Sequence, residues 1–465
     1  MDLFRIIVTL ILILFLIKRK IQVGPSLFIA SAFLVVVYWI PPLLTDSPLF
    51  KTPENSLLNV TREGVIGSYP KFRTLYILTA ILLVLMLGAA MGEKGFLKKM
   101  VRCIESIFGD PRCVLGGLPA MIGLLPMPGG ALFTAPMVNE TAESLGLSAN
   151  MRTYLNHHFR HIFEYTWVLY PGLIVLSEIV EIPIREIAIY NIPLTIAALF
   201  GGLIFGMIGI KAPKGLKVAG GGLIEIFDAL WPILFIVALV LLFNLELLIC
   251  LFLLLLLLLS RVKPWIGFTL ALVINGVLVL AFRTDEGIST SALYIGNGAI
   301  ALFLFIFAVT KPLYPLREFA SFLKRAIKPY MVVMVFGVML FSAVIEGSGA
   351  ARGVAEDINM IGLPKIFVIC LLPAVIGYLT GLTVSYVAVS FPILLPLFPE
   401  AKAEWMPYIS LAYACGFIGV LCSPVHFCLV LTVEYFKSDL MAVVRLLLPP
   451  SALVFTVALL RYLLS

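Results

Sequence analysis

The segment NHHFRHIFEY (156–165) packs three of the chain's four histidines, an arginine and a glutamate into ten positions. His157, His161 and Glu164 recur at i, i+4 and i+7, the spacing of one helical face, and Arg160 lies one turn before Glu164. Such a face supports several chemistries. Arg160 can hold a carboxylate bidentately, or pair with Glu164 until a substrate displaces it. His157, His161 and Glu164 can take up and release a proton. Histidines four apart beside a carboxylate also form a metal-ligand pattern, although the HExxH order of a zinc protease is absent. Against all of these stands an internally satisfied Arg–Glu–His cluster that locks one helix to its neighbours. The fourth histidine, His426, follows Ser423-Pro424 by two residues. It is read either as facing a cavity beside the segment 380–385 or as capping carbonyls freed at that proline.

The elements that must position these groups follow from composition. Of 465 residues, 61% are hydrophobic and 13% charged, with mean hydropathy +1.09, which excludes an ordinary soluble domain. Apolar runs long enough to cross a hydrocarbon core predict spans at 3–17, 23–44, 74–91, 153–178, 187–210, 221–243, 246–260, 264–282, 292–310, 329–345, 406–435 and 442–462. The expectation is an all-α polytopic membrane protein of about twelve transmembrane helices, multi-pass in a cell membrane. With the N-terminus outside, most of the 33 Lys and Arg fall in cytoplasmic loops. Their short clusters explain the net charge of +7 as membrane topology, and no nucleic-acid partner is expected. The run 3–17 is read as a retained first span, because Lys18-Arg19-Lys20 follows it without a small-residue cleavage site. Residues 94–108 put Phe96, Leu97, Met100, Val101, Ile104, Ile107 and Phe108 on one face of an expected interfacial helix. Glu225 and Asp228, one turn apart, are assigned a snorkelling or interhelical role. The seven cysteines form no CxxC and read as buried thiols.

Two apolar stretches, 113–138 and 364–397, are interrupted by Pro and Gly and are expected to be re-entrant hairpins. Each holds a version of one hexapeptide, LPAMIG (118–123) and LPAVIG (372–377). In the same alignment Gly95 pairs with Gly349. A two-residue shift pairs Pro136 with Pro392, Leu155 with Leu411, Ile162 with Ile418 and Glu178 with Glu434. The matching spans run in opposite directions, so the expected organisation is an inverted repeat. The first copy covers 1–210, linking spans occupy 211–263, and the second copy covers 264–465. Irregular backbone at membrane depth must be buried in protein or line a wet cavity, so two opposed hairpins imply a shared central site. Their tips, PMPGG (126–130) and TGLTVS (380–385), start new half-helices whose positive ends suit an anion. The hydroxyls of Thr380, Thr383 and Ser385 suit a small cation.

The stretches PMPGGALFTAPMV, LTGLTVSYVAVSFPIL and GFIGVLCSPVHFCLVLTVEYF resemble the twin tips and the broken helix of the ion-transporter superfamily, which includes divalent-anion/sodium symporters and the large membrane subunits of TRAP transporters. The chain as a whole is similar to the prokaryotic family of domain of unknown function 401 proteins. The resemblance implies a secondary transporter, often a dimer, that moves a substrate-bearing core against a fixed scaffold. By position it places cation sites at 126–130 with Tyr165 and Thr166, and at 380–385 with Ser423 and Pro424. The superfamily's Ser-Asn-Thr tips are missing here, and the first tip offers only backbone oxygens.

Together these readings predict a non-enzymatic permease for a small organic anion, a carboxylate, coupled to a sodium or proton gradient. Substrate is assigned to Pro126, Pro128, Gly129, Gly130, Arg160, Thr380, Gly381, Thr383, Ser385 and His426. The coupling ion is assigned to Thr166, Thr383, Ser385, Ser423 and Pro424, and proton relay to His157, His161 and Glu164. No cofactor or resident metal is expected beyond Na+ as a coupling ion. A cation/proton antiporter and an intramembrane metalloenzyme are the alternatives. No GxxxxGK[ST] motif is present, so the chain itself carries no P-loop for ATP.

Overall fold

The computed structural model describes residues 2–19, 21–45, 73–93, 110–125, 130–210, 230–236, 238–242 and 329–465, with a few single positions between them. The expected interfacial helix at 94–108, the acids Glu225 and Asp228, the spans at 246–260, 264–282 and 292–310, and Pro126, Pro128 and Gly129 of the first tip lie outside the described residues or nearly so.

What is described is helical. In order it comprises α1 (Asp2–Lys18), α2 (Val23–Thr45), α3 (Arg73–Glu93), α4 (Pro111–Gly123), α5 (Gly130–Ser144), α6 (Ala149–Arg160), α7 (Pro171–Val180), α8 (Ile184–Tyr190) and α9 (Ile192–Gly202). Then follow α10 (Pro329–Gly347), α11 (Ala350–Met360), α12 (Lys365–Thr380), α13 (Thr383–Leu394), α14 (Trp405–Leu421), α15 (Phe427–Phe436) and α16 (Leu440–Leu463). A 3-10 turn (Ile162–Tyr165) separates α6 from α7, and a π-helical turn (Leu203–Met207) extends α9. Among the described residues the strands are one antiparallel pair of two residues each, Arg283–Thr284 with Gly287–Ile288.

Local chemistry sets these boundaries. Asp110 caps α4 by accepting the Arg112 N–H at 2.9 Å, with Pro111 at the first helical position, where its missing N–H costs nothing. Ser148 and Asp439 cap α6 and α16 in the same way. Gly381, at φ 65°, closes α12. Among the described residues the non-glycine positions with positive φ are Glu181 (54°) and Lys437 (52°), which end α7 and α15. These two positions hold the register that pairs Pro136 with Pro392.

The two segments expected to form hairpins hold the helix pairs α4–α5 and α12–α13, with α5 running on to Ser144. Pro119 and Pro373 of the repeated hexapeptide sit inside the first arms rather than at the tips. The hexapeptide's glycines explain its repetition. A Cβ on Gly123 would collide with the Arg160 carbonyl oxygen, and one on Gly377 with the Gly416 carbonyl oxygen. Each glycine lets a first arm press against the backbone of an interrupted helix, α4 on α6 and α12 on α14. The second arms cross over, α13 packing on α7 and α5 on α15.

Among the described residues one helix, Leu440–Leu463, is long and apolar enough to cross a membrane. The bent pairs Ile184–Tyr190 with Ile192–Met207 (43°) and Val332–Gly347 with Ala350–Met360 (60°) pass the same test jointly. Phe4, Ile7, Ile11 and Phe15 are exposed along α1, as are Ile192, Ile196, Leu199, Phe200 and Leu203 along α9. Apolar stripes left outside at helical spacing are compatible with a membrane location.

Candidate functional site

Polar groups that a buried helical core would ordinarily exclude converge where the two interrupted helices meet the two helix pairs. Around the first tip, the carbonyls left free at the end of α4 have side-chain partners. Tyr170 Oη donates to Gly123 O, and Trp167 Nε1 donates to Leu124 O at 2.8 Å. Asn156 Nδ2 donates to Ala131 O at 3.0 Å, and Thr134 Oγ1 donates to Asn156 Oδ1 at 2.5 Å, tying α6 to the start of α5. Within the break, Asn191 Nδ2 donates to Tyr165 O and Tyr413 Oη to Glu164 O. Irregular backbone survives in an apolar interior because its amides and carbonyls find partners of this kind.

The Arg160 guanidinium lies over Gly130, the first residue of α5. A Cβ there would stand 2.6 Å from Nη2 and 2.7 Å from Nη1. A buried cation and a helix N-terminus, both positive, are therefore stacked at one point. At the second tip the charge is reversed. Glu164, 6% exposed, accepts a 3.3 Å hydrogen bond from Thr383 Oγ1 at the N-terminus of α13. The helix end that the sequence offers to a substrate anion thus already faces a carboxylate of the chain. Thr383 also packs its methyl group against Gly172 of α7.

Glu164 pairs with His161, Oε1 to Nδ1 at 2.5 Å. The one-face spacing read from sequence needs correction here: α6 stops at Arg160, and Glu164 rides on the 3-10 turn that follows. The tighter turn brings residues 161 and 164 together at i, i+3. His426 does not cap its own break. Its Nδ1 donates to Gly381 O at 2.8 Å, joining the α14–α15 break to the second tip. His157 Nε2 donates to Leu421 O at 3.2 Å, and His158 Nε2 donates to Ala198 O at 2.9 Å. The rings of His157, His161 and His426 lie with centroids 4.7, 5.0 and 5.3 Å apart pairwise. His158 faces away from them, stacked on Tyr154.

The remaining assigned residues divide. The Thr380 hydroxyl is used locally, donating to Ile376 O and accepting from Leu382 N. Ser385 is fully buried and its Oγ has no hydrogen-bond partner among the described residues. Ser423 Oγ accepts from Val425 N, beside Pro424 at the break. Thr166 turns to Thr195 of α9 at 2.9 Å, toward neither the histidines nor the second tip. Thr380, Ser385, Ser423 and His426 are all buried, so the junction is closed over in this conformation.

Sequence reasoning overlooked Cys428, a buried thiol in the first turn of α15 that is an electrostatic neighbour of His161, His426 and Arg160. Its position two residues after His426 was the available signal. A cavity of about 510 Å³ lies elsewhere, between α4, α6, α9 and the π-helical turn, with the Asp110–Arg112 ion pair (2.5 Å) among its lining groups. That hydrogen-bonded guanidinium holds the Asp110 carboxyl below its ordinary range.

A search of the curated proteins finds no match. A family model described as a protein of unknown function, DUF401, matches residues 1–263 and 287–464.

Proposed function

The chain belongs to the DUF401 family, and we propose that it is a secondary active transporter of a small organic anion, a carboxylate, working by alternating access. The observation that carries the reading is the buried Arg160 guanidinium over Gly130 at the start of α5, a fixed positive group of the kind that recognises carboxylates. The parallel succession of elements in 73–180 and 329–436 supports an inverted repeat with re-entrant hairpins and about twelve crossings. The matched glycine contacts of α4 and α12, the matched φ values of Glu181 and Lys437, and the crossed packing of α5 and α13 all favour it.

In this reading the conformation described is an occluded one. Glu164 and His161 form the proton-carrying element, poised at the second tip through Thr383. Protonating Glu164 weakens its hold on His161 and on the start of α13 together, which couples charge to the freedom of that hairpin. Ser385 and Ser423 provide oxygens for Na+ where sodium is the coupling ion. A homodimer in the cytoplasmic membrane belongs to the same proposal.

The test is uptake of radiolabelled mono- and dicarboxylates into proteoliposomes under imposed proton or sodium gradients. Wild type is expected to accumulate a carboxylate, and Glu164→Gln to lose the response to a proton gradient. Cation flux with no dependence on any organic anion would replace the proposal with antiport.

A further inference from the structure

We propose that His157, His161 and His426 form a site for a transition-metal ion of the Zn2+ class. The argument starts from hydrogen bonding. A carbonyl oxygen only accepts, so His157 carries its proton on Nε2 toward Leu421 O, and His426 on Nδ1 toward Gly381 O. His161 directs Nδ1–H to the Glu164 carboxylate. The nitrogens left over are His157 Nδ1, His161 Nε2 and His426 Nε2. His157 Nδ1 is buried without a hydrogen-bond partner, and the two Nε2 atoms face each other at 3.4 Å.

One ring nitrogen from each histidine lies within 4.8 Å of the others, with all three rings buried. The two Nε2 lone pairs face each other and repel unless a positive species lies between them. A single shared proton joins these two and leaves His157 Nδ1 without a partner, whereas a metal ion can take a nitrogen from all three rings. Ligands about 2.0 Å from a tetrahedral zinc stand roughly 3.3 Å apart, close to the observed separation of the Nε2 atoms. The far side of each ring already has the partner that metal-bound histidines use: a carboxylate for His161 and backbone carbonyls for His157 and His426. Three imidazole nitrogens favour Zn2+ over Mg2+ or Ca2+ and leave a fourth coordination position open.

The ligands come from α6 and its following turn, and from the α14–α15 break that holds the second tip. A bound ion therefore ties parts of the molecule that an alternating-access cycle would separate. The binding itself is measured without solute or gradient, so it succeeds or fails independently of the transport reading.

The experiment titrates the purified full-length chain in detergent, stripped with a chelator, first with Co2+ and then with Zn2+. One Co2+ per chain is expected, with the intense visible bands of a tetrahedral ion, lost as Zn2+ displaces it. His157→Gln and His426→Gln should each weaken binding by at least about tenfold, and Glu164→Gln by about 10–100-fold. His158→Gln, in the same helix but outside the cluster, should bind as wild type. A weak six-coordinate spectrum from the wild-type chain, or wild-type affinity in His426→Gln, overturns the site. The wild-type spectrum decides even where a variant fails to fold.

Discussion

Arg160 and Glu164 sit one helical turn apart in sequence yet serve opposite tips. Arg160 reaches the start of α5, while Glu164 faces the start of α13 through Thr383. A lysine at 160 keeps the charge but loses the planar fork that grips a carboxylate at two points. Arg160→Lys is therefore expected to raise the apparent KM for the transported anion on the order of tenfold, while leaving the response to a proton gradient intact. Concentration dependence of uptake in proteoliposomes checks this. An unchanged KM would take the carboxylate away from Arg160. Glu164 touches a different set of atoms, so Glu164→Gln should act on coupling rather than on solute affinity.

At the scale of elements, what matters is how closely the first arms approach the interrupted helices. Gly377 and Gly123 meet carbonyl oxygens of α14 and α6 with no room for a Cβ. Gly377→Ala must push α12 off α14, and a cost of about 1–3 kcal/mol is expected for such overpacking. Thermal unfolding of the detergent-solubilised chain measures it, and Gly123→Ala should behave alike because its contact is the same. Gly146 offers the contrasting case, since a Cβ there meets nothing but its φ of 66° still strains a side chain.

For the whole molecule, the crossed packing of α13 on α7 and α5 on α15 joins the two parts of the chain. If alternating access separates them, a covalent link across one contact must stop the cycle. Gly172 and Thr383 touch directly. In a background with the other cysteines replaced, Gly172→Cys with Thr383→Cys is expected to cross-link on oxidation, halt uptake, and recover on reduction. Full transport in the oxidised form would show that these elements do not part.

The sequence alone determined the helical class, the two hairpin segments, the break at 422–426 and the residues of the reactive cluster, because hydropathy, Pro, Gly and rare buried charges are local signals. It also exposed the duplication, since a glycine required for backbone contact leaves the same letters twice. Only the tertiary structure decided partnership. That His426 meets His157 and His161, that Glu164 serves the second tip, and that Thr166 turns away to Thr195 all depend on chain segments far apart in sequence, whose approach no local periodicity encodes. The shared face of His161 and Glu164 was legible, but not that the α-helix stops at Arg160 and that Glu164 meets His161 from the 3-10 turn that follows.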